Sequence, residues 1–275
     1  MSVLPPRPMR SLENRVAIVT GAGSAGDGIG NGRAAALLLA EAGCAVVCVD
    51  MSQESAQLTV SMIESEGKGR ATFMTGDISD EAVCKSIVDK TISIYGHLDI
   101  LVNNVGIIGA RGNATEVDMA GWETGMRVNV GSMVMMSKYA IPQMSKNEGE
   151  YWRGSIVNVG SVAGLMGGAP NLLYATSKGA VGNLTRAMAH HHAPERIRVN
   201  AVAPGMLYTP MVCAGNTSTG FREARKQGSI LKTEGNGWDC GSAVRFLASD
   251  EARWITGIIL TVDAGLSSSL NIDFN

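Results

Sequence analysis

The sequence predicts an α/β fold: a single domain built on a doubly wound parallel sheet of about seven strands. Three observations predict it. Seven short apolar runs rich in β-branched residues recur along the chain, with longer helically spaced segments between them. The runs are apolar on both faces, as expected of strands covered by helices above and below. The first run ends in a glycine-rich turn that opens directly into a helical segment.

Arg15–Thr20 (RVAIVT) is the first expected strand. Its turn leads into Gly32–Ala42, where helix formers dominate. Ala45–Asp50 and Ala71–Thr75 follow as strands, and Asp80 is placed to cap a helix that runs to Tyr95. Leu98–Val102, Ser155–Val159, Arg198–Ala203 and Ile258–Val262 supply the other strands. Helix Trp238–Ser249 is expected to complete the core with the last of them, anchored by Trp238 and Trp254. Such alternation gives βαβ units, hence a Rossmann-type sheet. No linker or charge block divides the chain. Residues 15–266 therefore read as one domain between an N-terminal tail, 1–14, and a C-terminal tail, 267–275. Within it, 204–237 is the least regular stretch, and 206–237 reads as a substrate lid.

Composition narrows the function classes. Apolar residues make up 45% and charged residues 17%, the balance of a water-soluble enzyme. A net charge of −2 gives no reason to expect nucleic acid or an acidic membrane as partner. No run is long and apolar enough to span a bilayer, and residues 1–14 lack the apolar stretch of a signal peptide, so a cytoplasmic location is expected. Cys44, Cys48, Cys84, Cys213 and Cys240 form no CxxC pair and no zinc spacing. They read as reduced thiols, and no metal is expected. His190–His192 precede Pro194 near a helix end, where such side chains are favoured without any metal. Met133, Met135 and Met136 read as core or subunit packing.

The first strand ends at Thr20 and the chain turns through Gly21, Gly23, Gly26, Gly28, Ile29 and Gly30. Glycines let a backbone approach a pyrophosphate closely, and the helix N-terminus beyond offers unpaired N–H groups and positive dipole character. An ordinary glycine loop is the plain alternative. Asp50 ends the second strand, where a carboxylate accepts the ribose hydroxyls of NAD and repels the 2′-phosphate of NADP. A strand-end Asp capping the next helix is the competing reading. Asp77, after the third strand, is a second candidate, for the adenine edge.

Ser161 follows the fifth strand, and Tyr174 and Lys178 open the next helix. Residues four apart share a helix face, which sets the Lys178 ammonium beside the Tyr174 phenol. A free tyrosine has a pKa of roughly 10, too high for a base near neutrality. A neighbouring cation favours the phenolate. Ser161 would then hold a substrate oxygen while Tyr174 exchanges a proton with it. Singly, the Tyr/Lys pair would be an ordinary helix surface.

With these motifs in order, the sequence resembles the short-chain dehydrogenase/reductase family from about residue 12 to residue 266. Tyr174-Ala-Thr-Ser-Lys178 matches its Tyr-x-x-x-Lys, with Ser161 in the usual place, and Asn103-Asn104-Val105-Gly106 matches Asn-Asn-Ala-Gly. The resemblance implies that Asn129 is a catalytic asparagine holding a water in a proton relay with Lys178. It implies that Lys178 also binds the nicotinamide ribose, and that Asn104, Gly106, Pro204, Gly205 and Thr209 border the cofactor. Asp77 and Ile78 would contact adenine. A homodimer or homotetramer is implied, with a subunit face formed by the helix carrying Tyr174 and the one before it. Two departures stand out. The glycine motif is three residues longer than the family's, from Gly21 to Gly28 and Gly30, and Val105 replaces alanine.

The expected substrate pocket comprises Ile108, Ser161, Ala163, Met166, Tyr174, Met206, Leu207 and Met211, a mostly apolar set. It favours an alicyclic, aromatic or terpenoid-like secondary alcohol or its ketone, turned over with NAD. A cis-dihydrodiol dehydrogenase and a 3-oxoacyl-type carbonyl reductase are the enzymatic alternatives. A non-catalytic NAD-binding redox sensor is the alternative from another class, and the intact Asn129, Ser161, Tyr174 and Lys178 weigh against it.

Overall fold

The computed structural model describes residues 6–24, 28–213 and 218–268. In chain order, β1 (Val16–Thr20), α1 (Asn31–Glu41), β2 (Ala45–Asp50), α2 (Gln53–Glu66) and β3 (Arg70–Thr75) come first. Then follow α3 (Glu81–Tyr95), β4 (Ile100–Asn103), α4 (Met119–Met126), a π-helical turn (Arg127–Gly131) and α5 (Ser132–Met144). β5 (Gly154–Val159), α6 (Leu172–His191), β6 (Ile197–Pro204), α7 (Pro210–Cys213), α8 (Thr219–Gln227), α9 (Gly237–Ala248) and β7 (Ile259–Val262) complete the chain. All seven strands run parallel in the order β3-β2-β1-β4-β5-β6-β7.

Side-chain alternation in the strands sorts the helices into two layers. Ala17 and Val19 of β1 belong to one buried cluster, Val16 and Ile18 to the other, because successive strand residues point to opposite faces. The first cluster is closed by α1, α2 and α9, through residues such as Leu37, Leu39, Ile63, Val244 and Leu247. The second is closed by α3, α5 and α6, through Ile87, Val88, Met136, Met144 and Met188. Each large aliphatic side chain so withdrawn from water contributes about 1.5–3 kcal/mol. Helix ends follow their sequence signals. Asp80 accepts from the Ala82 N–H at 2.7 Å to start α3, and Asn236 and Asp239 form a reciprocal capping box on α9.

Two expectations are corrected here. β3 is an edge strand, half exposed rather than covered on both faces, and Phe73 stands 37% exposed on it. Trp254 is not a packing anchor: it is 93% exposed on the connection from α9 to β7, and Trp238 is 37% exposed. The buried tryptophan is Trp152, whose ring lies 4.4 Å and 5.1 Å from the guanidinium carbons of Arg15 and Arg198. Its Nε1–H donates to Asp250 at 2.8 Å. The five cysteines are all free, and every one but Cys213 is buried. Among the described residues no helix is long and apolar enough to cross a membrane.

Candidate active site

The strand order reverses between β1 and β4, so the chain leaves their carboxyl ends in opposite directions and a crevice opens above them. A cleft of about 330 Å³ lies there, lined by Gly21, Gly23, Ser24, Gly30, Asn31, Gly32, Asn104, Gly106, Val159, Gly160, Tyr174, Lys178, Thr209 and Met211. A larger surface hollow of about 660 Å³, between Arg7, Pro8, Arg10, Phe246 and Glu251, holds none of the expected site residues.

Asn104 stitches the two strand ends together. Its backbone N–H donates to Thr20 Oγ1 at 3.0 Å, and its Nδ2 donates to the carbonyls of Thr20 at 3.2 Å and Gly21 at 3.0 Å. Gly32 packs against this junction: a Cβ there would lie 2.0 Å from the Gly21 carbonyl oxygen and 2.4 Å from Asn104 Nδ2. The approach brings the start of α1 down onto the cleft. α1 begins with no side-chain cap and no acidic residue in its first turn, unlike α2 and α3. Its unpaired N–H groups and dipole therefore suit an anionic group in the cleft. Such a cradle fits the pyrophosphate of a dinucleotide.

Asp50 stands at the end of β2 and is engaged on both oxygens. Oδ2 accepts from the Gly23 N–H at 2.9 Å, and Oδ1 accepts from the Ser52 N–H at 3.0 Å. The cap of α2 is Ser52, whose hydroxyl accepts from the Ser55 N–H at 3.2 Å. Asp50 therefore does not cap that helix but ties the glycine turn to the second strand. Asp77 Oδ1 accepts from the Ser79 N–H at 2.8 Å, and Ile78 is buried in the core.

Tyr174 and Lys178 project from the first turns of α6, with the Lys178 Nζ 5.9 Å from the Tyr174 ring centre. The Tyr174 phenol shares a hydrogen bond with the Ser161 hydroxyl, which also accepts from the Ala163 N–H at 3.2 Å. Lys178 is buried and donates to the Val159 carbonyl at 2.9 Å. Its pKa is pushed down to about 8 because burial penalises the ammonium. Tyr174 departs from expectation: burial pushes its pKa above the ordinary tyrosine value, and only the Ser161 hydrogen bond pulls the other way. At this separation Lys178 does not offset the loss of water around the phenol.

Asn129 sits in the π turn between α4 and α5, fully buried; single π turns inside helices recur at functional sites. Its Nδ2 donates to the Ile107 carbonyl and to Ser177 Oγ, both at 2.9 Å, and its Oδ1 accepts from the Ile107 N–H at 2.8 Å. Ser177 Oγ in turn donates to the Tyr174 carbonyl at 2.9 Å. Both amide hydrogens of Asn129 are thus spent on holding the 104–108 segment against the turn that carries Tyr174. Gly106 lies between: a Cβ there would come within 3.0 Å of Lys178 Nζ.

The structure brings Gly21, Gly30, Asn104, Gly106, Tyr174, Lys178, Thr209 and Met211 into one cleft, with Ser161 against Tyr174. Gly28, Ile29, Pro204 and Gly205 stand outside its lining, and Gly205 packs on Asp263. Of the expected substrate residues, Ile108 and Met166 are exposed and Ala163 lies in a short 3₁₀ turn after Ser161. Leu207 is corrected: it is a core residue, 6% exposed. With Met206 it lines a separate hollow of about 260 Å³ beside Arg225 and Asp263. The backbone turns inward there because the Tyr208 N–H donates to the Gly235 carbonyl at 2.8 Å. Residues 25–27 and 214–217, inside the expected phosphate loop and lid, lie outside the described residues. Asn31, Gly32, Val159 and Gly160 line the cleft without having been expected to. Gly32 carried a readable signal, since a glycine in the first turn of a helix costs about 1 kcal/mol relative to alanine.

Comparison with known proteins decides the family. A family model described as enoyl-(acyl carrier protein) reductase matches residues 23–267. An uncharacterized oxidoreductase of Thermotoga maritima is 39% identical over 93% of this chain and 98% of its own. The chain belongs to the short-chain dehydrogenase/reductase family. It is an oxidoreductase acting on CH–OH donors or the matching carbonyls. Another member, the cis-4-hydroxycyclohexanecarboxylate dehydrogenase of Sinomonas cyclohexanicum, is 36% identical over 94% of this chain and 98% of its own. Among solved structures, a 7α-hydroxysteroid dehydrogenase complexed with NADH and 7-oxo glycochenodeoxycholic acid superposes with a TM-score of 0.85. It is 33% identical, covering 95% of this chain and 98% of that one.

Proposed function

We propose that this oxidoreductase uses NAD(H) to interconvert an alicyclic secondary alcohol and its ketone, with Tyr174 as acid/base. One observation carries the reading: the Tyr174 phenol, hydrogen-bonded to Ser161 and one helical turn from the buried Lys178, opens into the same cleft as the uncapped start of α1. When bound, the cofactor supplies the hydride acceptor or donor at its nicotinamide. Ser161 donates a hydrogen bond to the substrate oxygen, and Tyr174 takes the alcohol proton as the carbonyl forms. Positive charge added to the cleft by an oxidised nicotinamide would favour the phenolate, against the desolvation that raises its pKa. Gly106 leaves room for the ribose beside Lys178.

Asp50 supports NAD over NADP, because a second anion beside a carboxylate is repelled. Met211 in the cleft lining, together with the exposed apolar side chains of Ile108 and Met166, supports a hydrocarbon ring as substrate, as do the cyclic substrates named for the Sinomonas enzyme and the steroid dehydrogenase. The test is NADH absorbance with NAD and a panel of cyclohexanols and hydroxysteroids, with NADP run in parallel. Turnover with NAD is expected to exceed that with NADP. Faster turnover of a β-ketoacyl thioester with NADPH would replace this reading with that of a 3-oxoacyl-type carbonyl reductase.

A further inference from the structure

We infer that Arg33 is a positioning residue for dinucleotide binding: its buried guanidinium clasps both ends of the lengthened glycine loop and fixes the backbone that receives the diphosphate. The inference rests on the proposed function and extends it to a residue outside the family's motifs. Six residues separate Gly21 from Gly28, three more than in the family motif. Extra loop residues add backbone polar groups and conformational freedom, both of which must be restrained if the cleft is to be preformed.

Arg33 supplies that restraint from the first turn of α1. It is fully buried, an unusual state for an arginine and a costly one unless its donors are used. Its Nη1 donates to the Gly28 carbonyl at 2.7 Å, and its Nη2 reaches the Ser24 carbonyl at 3.4 Å. Ser24 and Gly28 flank residues 25–27, so one planar group bridges the neck of the insertion. Its other donors reach back into α2, Nε to Thr59 Oγ1 at 3.0 Å and Nη2 to the Ser55 carbonyl at 3.3 Å. α2 completes the brace. Thr59 Oγ1 donates to the Ala22 carbonyl at 2.8 Å, and Ser55 Oγ donates to the Ser24 carbonyl at 3.0 Å.

The carbonyls at 22 and 24 are thereby turned toward α2 and that at 28 toward Arg33, and the neighbouring Gly23, Ser24 and Gly30 line the cleft. A guanidinium offers five donors in a rigid fork, which allows one side chain to serve both ends of the loop and a helix behind it. A lysine ammonium keeps the charge but cannot span these acceptors.

The test compares the wild type with Arg33→Met, Arg33→Lys and Thr59→Val by fluorescence titration with NADH and with ADP-ribose. Circular dichroism and thermal melting check folding. Losing several charge-assisted bonds is expected to raise both dissociation constants by roughly tenfold or more in Arg33→Met, by less in Arg33→Lys, and by about threefold in Thr59→Val. In turnover the loss is expected to fall on the KM for NAD, with kcat lowered by about threefold or less. Folded Arg33→Met or Thr59→Val with wild-type affinity for both ligands would overturn the inference while leaving the proposed function in place. A loss confined to kcat would overturn it too. If Arg33→Met does not fold, Thr59→Val and Arg33→Lys decide by the same criterion. A wild type that binds neither NADH nor ADP-ribose would overturn both the inference and the function it rests on.

Discussion

Replacing Lys178 by methionine separates what the residue costs the fold from what it gives the site. Burial lowers its pKa from 10.5 to about 8, and at 1.36 kcal/mol per pKa unit this amounts to about 3 kcal/mol of destabilisation at pH 7. The folded state holds this proton less tightly than the unfolded state. Unfolded chains therefore carry more protons between pH 8 and 10.5, and stability rises with pH across that window. Below pH 8 the penalty is felt in full, and above 10.5 it is gone. Methionine removes the penalty but leaves the Val159 carbonyl without its 2.9 Å donor, a loss of about 1–3 kcal/mol. Lys178→Met is therefore expected to match or modestly exceed wild-type stability at pH 7. It should then lose about 2 kcal/mol relative to wild type by about pH 9.5. Urea melts of both proteins at the two pH values measure this. A stability difference that does not change with pH, or that moves in the variant's favour as pH rises, would refute the burial argument. Turnover should be lost at either pH, as expected of a site that retains a buried charge at the expense of stability.

Tyr174→Phe removes one hydroxyl and should cut turnover by roughly 10²–10⁴ while leaving NADH affinity within about twofold; retained turnover in a steady-state assay would exclude Tyr174 as acid/base. Gly32→Ala forces a Cβ to within 2.0 Å of the Gly21 carbonyl and should weaken NADH binding by at least about tenfold, with unaltered binding by titration counting against the cleft as the nucleotide site. Asp50→Asn removes the repelling charge and should shift the ratio of kcat/KM between NAD and NADP by about tenfold toward NADP. An unchanged ratio would leave Asp50 with the holding of Gly23 and Ser52 and no part in choosing the cofactor.

Most of the architecture was legible because strands buried on both faces read as continuous apolar runs. All seven were located to within a few residues, the crossover order apart. Capping residues were equally readable where a side chain makes the cap, as Asp80 does. β3 was misread because an edge position leaves no mark on a short apolar run such as Ala71–Thr75. Trp254 was misread because size implies packing only where a second layer exists to pack against. At the site, the spacing of Tyr174 and Lys178 foretold a shared face, whereas the direction of the Tyr174 pKa depended on three-dimensional burial that spacing does not encode. Leu207 entered the expected pocket by its place in sequence, but the Tyr208–Gly235 hydrogen bond turns that segment toward the core. Arg33 lay unseen inside an alanine-rich helical pattern, since nothing local distinguishes an arginine that faces solvent from one that faces the glycine loop.

On the proposed function, this cleft passes a hydride between NAD and the carbinol carbon of a cyclic secondary alcohol. The most direct measurement is transfer of deuterium from a cyclohexanol labelled at the carbinol carbon, followed by mass spectrometry of the reduced cofactor. One deuterium per NADH formed is expected from the wild type, and no labelled NADH above a trace from Tyr174→Phe. Unlabelled NADH, or equal labelling by the Tyr174 variant, would contradict it.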